Sequence, residues 1–329
     1  MTSEIILTGD RTTGKLHLGH YVGSLRSRVE LQHVYPTFIL LADVQALTTH
    51  FEHPGLIADS VRQVALDYLA VGIDPERATL FIQSMIPEIA ELTQYFSMFV
   101  TVNSLRHNPT VKSEAKERGY NDMYYGFLGY PVSQAADIAF CKATLVPAGE
   151  DQIPHIEQAR KIVRRFNELY RPVFKEPRIL TGGRLTGLDG GSKMSKSLGN
   201  ALYLDSSREE VELKLAKAKT DPARVRMDDP GHPDICPAYE YHRHFRPEQC
   251  ADIHELCSKG AISCTDCKKL ASQAVNELLE PIRERRSSLA GRMEHINEIL
   301  VEGTRKARAA ARETMREVRE AMGINYFGD

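Results

Sequence analysis

No apolar run in this 329-residue sequence approaches the roughly 20 residues needed to span a bilayer as a helix. The opening residues, Met1-Thr2-Ser3-Glu4, have no basic region followed by an apolar stretch, so no secretory signal is expected. Tryptophan is absent altogether. Excess charge is absent too: 42 Lys and Arg stand against 44 Asp and Glu, a net charge of −2. No global basic field therefore draws the chain to nucleic acid, and any RNA contact requires a local basic patch. Cysteine is scarce, six in all. In the cytoplasmic location expected here, those six serve as free thiols or metal ligands rather than disulfides. There is no internal repeat and no low-complexity segment. What is present, 42% hydrophobic residues, suffices for a large core and two domains.

The first third alternates between strand and helix patterns. Glu4–Thr8 reads as a short strand followed by a glycine-bearing loop, and Leu18 to about Gln32 as a helix. Pro36–Asp43 is a near-continuous apolar run, as in a strand buried on both faces of a parallel sheet. Leu56–Val71 has helical spacing, and Ala78–Gln83 reads as another buried strand. This alternation predicts an α/β doubly wound sheet, with ligands at the carboxyl ends of its strands. Residues 87–130 read as a helical, irregular insertion, and Asp151–Leu169 as a helix. Five glycines in Gly182–Ser192 predict a mobile loop. Beyond about Asp205 helices dominate. The last one, about Ile299–Met322, places Val301, Ala307, Ala311, Met315, Val318 and Met322 at roughly helical spacing.

Two short motifs carry phosphate chemistry. Gly14-Lys15-Leu16-His17-Leu18-Gly19-His20 follows the first strand. A strand end, a tight turn and a helix N-terminus together make an anion site. His17 and His20, three residues apart, can point to one side and donate from neutral imidazoles, while Gly19 lets a nucleotide lie against the backbone. Alone, the pair reads equally well as surface histidines at a helix cap. Lys193-Met194-Ser195-Lys196-Ser197 brings two ammonium groups suited to a polyphosphate whose charge shifts during transfer, or else forms a solvated basic loop.

Together these motifs resemble the HIGH and KMSKS signatures of class I aminoacyl-tRNA synthetases. The resemblance implies a Rossmann-like fold of the HUP nucleotidyl-transferase type with a helical insertion over 1–205. It also implies an all-α anticodon-binding domain over 206–329. The amino acid carboxylate attacks the α-phosphate of ATP with Mg2+ present, and the aminoacyl group then passes to tRNA. His17, His20, Lys193, Ser195 and Lys196 would be the catalytic set. Gly9, Arg11, Gly19, Gly149, Glu150, Asp151, Leu185, Met194 and Ser197 would join them around ATP, with Lys112 a weaker candidate.

Tyr130-Pro131-Val132-Ser133-Gln134-Ala135-Ala136-Asp137 bears on the amino acid. Pro131 suits a first helical position, and Tyr130, Gln134 and Asp137 then share one face. Taken alone, Asp137 reads better as a partner for a structural arginine. The segment resembles the pocket of bacterial tryptophanyl-tRNA synthetases, Y-P-x-x-(M or Q)-A-A-D, as does Val146-Pro147-Ala148-Gly149-Glu150-Asp151-Gln152. By that resemblance Asp137 accepts the indole N–H, a donor-only group. Tyr130 and Gln152 hold the ammonium group of L-tryptophan, and Gln134 either assists or lines the pocket. Tyrosyl enzymes use a similar trio but supply a second polar partner on the first strand, where this chain has Leu7. Gln45 departs from a histidine common among the tryptophanyl enzymes. The alternatives are a tyrosyl enzyme, a synthetase-like protein that charges no tRNA, and a nucleotide-binding regulator.

Cys236, Cys257, Cys264 and Cys267 form C-x20-C-x6-C-x2-C. Four thiolates suit zinc or an iron–sulfur cluster, and unligated buried thiols are the plain alternative. The spacing resembles the 4Fe–4S subgroup of the tryptophanyl family. His242, His244 and His254 keep a mixed zinc site open. Arg305, Lys306, Arg308, Arg312, Arg316 and Arg319 offer tRNA(Trp) a basic surface, or a salt-bridged face with Glu313, Glu317 and Glu320. Relatives are homodimers, and the resemblance implies the same here.

Overall fold

The computed structural model describes residues 4–191, 194–196 and 198–327. Among them five parallel strands form one sheet in the order β3-β2-β1-β4-β5. They are β1 (Ile6–Arg11), β2 (Thr37–Ala42), β3 (Ala78–Ile82), β4 (Leu145–Ala148) and β5 (Arg178–Thr181). Helices cover both faces, so the expected doubly wound sheet is what the chain forms.

The first strand begins and ends later than its apolar pattern suggested. Gly9, Asp10 and Arg11 look like loop residues, yet they pair in register with Leu40, Leu41 and Ala42. A Cβ at Gly9 would lie 2.4 Å from the Leu40 carbonyl oxygen, so the close approach of β1 to β2 demands glycine there. The helical stretch after the histidine motif is unbroken from Leu18 to Leu31, but Tyr21–Leu25 is a π-helical turn.

The chain steps from β1 out through β2 and β3, then returns to the other side of β1 for β4. This reversal opens a crevice between the carboxyl ends of β1 and β4, the place where such sheets bind ligands. The insertion supplies Pro87–Ser97, Val102–Arg106, Pro109–Glu117 and the long helix Tyr125–Ala139. Pro131 lies inside that last helix, not at its first position. The helix starts six residues earlier because Tyr125–Tyr130 also bury an apolar face through Phe127, Leu128 and Tyr130.

Beyond residue 206 the described chain is helical, chiefly Cys264–Ala290 and Met293–Met322. The final helix packs against β3 and shares its core with the sheet through Ala307, Ala311, Met315 and Val318. Val301, expected on that face, is 64% exposed. The arginines of this helix pair with carboxylates: Arg308 and Arg312 with Glu88, Arg319 with Glu91, and Arg316 with Glu313 and Glu320. A Cβ at Gly303 would come within 1.9 Å of the Leu80 carbonyl oxygen. Gly303→Ala is therefore expected to push the helix off β3 and destabilise the protein by about 1–3 kcal/mol. Urea unfolding measures this, and an unchanged midpoint would contradict the packing.

Candidate active site

The histidine motif sits at the end of β1. His17 caps the helix that follows, and its Nδ1 accepts the Gly19 N–H at 3.1 Å. His20 Nδ1 in turn accepts the His17 N–H at 3.1 Å. With both Nδ1 atoms occupied as acceptors, each neutral ring carries its proton on Nε2 and can donate outward. Burial lowers His17 to about 2, helped by His20 and Lys196, so the ring is neutral at physiological pH. Burial likewise lowers His20 to about 4, against the opposing pull of Asp10. The rings lie 3.9 Å apart between centroids. A Cβ at Gly19 would meet the His17 ring at 2.9 Å and Met194 Cβ at 3.3 Å.

Met194 is thus packed over the histidine motif, and its N–H donates to the carbonyl of buried Leu185 at 3.2 Å. Lys196 Nζ donates to the Gly14 carbonyl at 2.8 Å. Gly14 has φ +110°, a turn that a side chain would strain. Burial lowers the Lys196 ammonium from its ordinary value, while Asp10 and Asp67 favour its charge. The Ser195 N–H donates to Asn200 Oδ1 at 2.8 Å. The two motifs, far apart in the chain, therefore meet. Lys193 and Ser197 lie outside the described residues.

Beneath the histidines lies a pair that the sequence pattern did not single out. Arg28, 1% exposed, donates to Asp10 Oδ2 at 2.6 Å, to Ser24 Oγ at 2.8 Å and to the Gly9 carbonyl at 3.3 Å. The Tyr68 hydroxyl donates to the same Asp10 oxygen at 2.8 Å. Burial alone would raise the Asp10 carboxyl, but Arg28, His20 and Tyr68 hold it well below the usual carboxylate range.

At the other side of the crevice Gly149 leads into a turn, Glu150–Gln152, and the helix Ile153–Leu169. Thr110 Oγ1 donates to the Asp151 carbonyl at 3.0 Å, which ties the insertion to β4. Lys112 is exposed on that same helix of the insertion. Arg11 is engaged by Glu114, at 2.5 and 3.2 Å, and stacks 4.9 Å over the Tyr130 ring. Its guanidinium is therefore held between the Glu114 carboxylate and the Tyr130 ring.

Asp137 is 1% exposed on the helix Tyr125–Ala139. Its partner is not an arginine. Gln83 Nε2 donates to both carboxylate oxygens, at 2.8 and 2.9 Å, and Gln83 Oε1 accepts the Gln45 N–H at 3.1 Å. Gln83 was legible only as the polar residue ending a buried strand. Burial raises Asp137 to about 7; Gln83 opposes this and Asp43 adds to it. Gln134 Nε2 donates to Gln152 Oε1 at 3.0 Å, which leaves the buried Gln134 Oε1 with no partner among the described residues. The Tyr130 hydroxyl lies 3.0 Å from His155 Nε2. Leu7, 3% exposed, shares an apolar cluster with Tyr130 and Val146.

Residues 2–280 match the model of the family described as tRNA synthetases class I (W and Y). The chain belongs to this family of class I tRNA synthetases. It is 47% identical over 343 residues to the tryptophan–tRNA ligase of Clostridium longisporum, covering 100% of this chain and 99% of that one. It is 48% identical over 340 residues to that of Streptococcus pyogenes serotype M3, covering 99% and 100%. Among solved structures it resembles the Campylobacter jejuni tryptophanyl-tRNA synthetase complexed with ADP and tryptophan. There the TM-score is 0.83 at 28% identity, covering 97% and 99% of the two chains.

The cysteines are less complete than this class I site. Cys236, Cys257, Cys264 and Cys267 do gather near the start of the helix Cys264–Ala290, and each of the others raises the Cys267 thiol. Burial is the larger cause, and together they push it up to about 12. Arg224 lies 3.9 Å from Cys257 Sγ, and His242 Nε2 3.4 Å from Cys267 Sγ. Yet among the described residues no three His, Cys, Asp or Glu side chains are grouped to hold a metal ion. The expected metal centre is not formed by the side chains as they stand.

The Asp137 environment makes a direct prediction. A 13C-labelled carboxyl at Asp137 should titrate near pH 7, and in Gln83→Leu at higher pH, because the lost donors had favoured the charged form. The folded state retains a proton between the ordinary value of 3.8 and about 7. Asp137 therefore withdraws stability as pH rises through that window. A midpoint near 4 in the native protein would contradict its burial.

Proposed function

We propose that this chain activates L-tryptophan with ATP and transfers it to tRNA(Trp). In the first step a carboxylate oxygen of tryptophan bonds to the α-phosphorus as the bond to the bridging oxygen of pyrophosphate breaks. In the second, a terminal ribose hydroxyl of tRNA attacks the carbonyl carbon and AMP leaves. Neither step needs a covalent protein nucleophile, so catalysis is positioning and charge stabilisation.

His17 and His20 donate from Nε2 to phosphate oxygens, and Lys196, with Lys193 and Ser195, stabilises the leaving pyrophosphate. Their neutral and cationic states fit those tasks at pH 7. Gly9, Gly19, Gly149, Glu150, Asp151, Leu185, Met194 and Ser197 surround ATP, with Arg11 and Lys112 at its margin. Mg2+ neutralises developing charge on the phosphates when bound.

The observation that carries the specificity is Asp137, buried and fixed by Gln83, with no cationic hydrogen-bond partner among the described residues. A lone acceptor suits the indole N–H. Leu7 offers no second polar group of the kind a tyrosine hydroxyl requires, and an unmatched buried hydroxyl costs about 1–3 kcal/mol. The unpartnered Gln134 Oε1 suits the substrate ammonium beside Tyr130 and Gln152. Pyrophosphate exchange into ATP, run with each amino acid, should be fastest with tryptophan. Asp137→Ala should reduce that rate by at least about 100-fold and leave ATP binding largely intact. Faster exchange with tyrosine would overturn the assignment.

The same reading takes residues 206–329 as the anticodon-binding domain and the protein as a cytoplasmic homodimer. No helix among the described residues is long and apolar enough to cross a membrane. Exposed Phe51, Met98, Tyr124 and Tyr125 supply apolar surface consistent with self-association. Cys236, Cys257, Cys264 and Cys267 have the donor chemistry for a 4Fe–4S cluster of structural role, with zinc the alternative. Anaerobically purified protein should be brown with about four irons per chain. Stoichiometric zinc without iron would reject the cluster.

A further inference from the structure

The helical half reaches the histidine motif through one buried carboxylate. Asp67, 1% exposed, lies in the helix Pro54–Val71. Its Oδ2 accepts the Leu16 N–H at 2.8 Å, and Leu16 directly precedes His17. Its Oδ1 accepts Arg286 Nε at 2.8 Å, and Arg286 comes from the helix Cys264–Ala290. Arg286 Nη2 also donates to Gln63 Oε1 at 2.7 Å, and Nη1 stands 3.7 Å from Asp205, which Lys15 also pairs with.

Leu16 is held on both sides. Its N–H is fixed by Asp67, and its carbonyl accepts the Leu204 N–H at 3.0 Å. The next peptide N–H, that of His17, is the one bonded to His20 Nδ1. The direction in which both imidazoles present Nε2 therefore follows from where Leu16 is held. Two neighbours on the same helix make the attachment rigid: Arg285 Nε donates to the Ala70 carbonyl at 2.6 Å, and Arg283 Nη1 to the Ser206 carbonyl at 2.9 Å.

We propose that Arg286 is a positioning residue for adenylate formation, aiming His17 and His20 through Asp67 and the Leu16 amide. The proposal rests on the function given above, but its geometry does not. Arg286 touches no substrate in this scheme. It makes the part of the chain beyond residue 206 a component of the phosphate site.

Kinetic and NMR measurements test it. In tryptophan-dependent pyrophosphate exchange, Arg286→Met should lower kcat about 10-fold or more with KM for tryptophan little changed. Arg286→Lys, which keeps the charge and one donor, should fall between Met and wild type. In a background lacking both rings, His17→Asn with His20→Asn, Arg286→Met should cost little further, because the groups it aims are gone. A purely structural role would lower thermal stability and cost the same factor in both backgrounds, which would overturn the proposal. Should Arg286→Met fail to fold, the Lys variant decides: an unchanged kcat rejects the inference. Imidazole 15N shifts of His17 and His20, recorded without substrate, should move in Arg286→Lys. Unmoved rings would overturn it whichever amino acid the protein activates, whereas an inactive wild type with shifted rings would fault the function instead.

Discussion

The buried pair of Arg28 and Asp10 is the contact on which the site depends. Asp10 is the penultimate residue of β1, and Arg28 lies beyond the histidine motif on the helical stretch that follows. Their ion pair closes the segment between them into a fixed loop and also binds the Gly9 carbonyl and Ser24. Losing one partner of such a buried pair typically costs about 3–5 kcal/mol, because the survivor is stranded without water. Asp10 also acts on the histidine above it, partly offsetting the loss of basicity that burial imposes on His20. The same pair therefore holds the fold at the end of β1 and acts on the charge of His20.

Around that anchor the molecule uses the geometry of a parallel sheet. All strands point one way, so their carboxyl ends share an edge, and the reversal from β3 back to β4 leaves a crevice there. The histidines enter from β1, Gln83 from β3, and Gly149 from β4. Asp137 is carried to the same edge by the insertion helix and received by Gln83. Each group arrives on an element whose other face is committed to the core, which limits how far it can drift.

The chain is also more integrated than a split near residue 205 implies. Its last helix packs on β3, with Gly303 against the Leu80 backbone, and the helix Cys264–Ala290 reaches back through Arg283, Arg285 and Arg286. The basic residues of the last helix are largely spent on Glu88, Glu91 and neighbouring carboxylates. Of the two readings open to that charge pattern, the salt-bridged face is the one these contacts favour.

Sequence alone determined the chemistry on offer: imidazoles after a strand, a lysine motif after a glycine run, and one acid on an apolar helix. Periodicity and motif spacing are local properties, so the strands, the main helices and the histidine and lysine motifs were legible as segments. Only the tertiary structure decided the partners. Gln83, not an arginine, receives Asp137. Arg28 holds Asp10, and Arg11 turns to Glu114. Gly9, Asp10 and Arg11 extend β1 because β2 lies beside them, and Pro131 sits within a helix because Phe127 and Leu128 bury the preceding turn. The four cysteines, spread over 32 residues of chain, gather near the start of the helix Cys264–Ala290. The reason is common to all of these. A side chain's partner, its burial and hence its charge depend on residues distant in the chain, and no local pattern encodes which of them folding will bring within 3 Å.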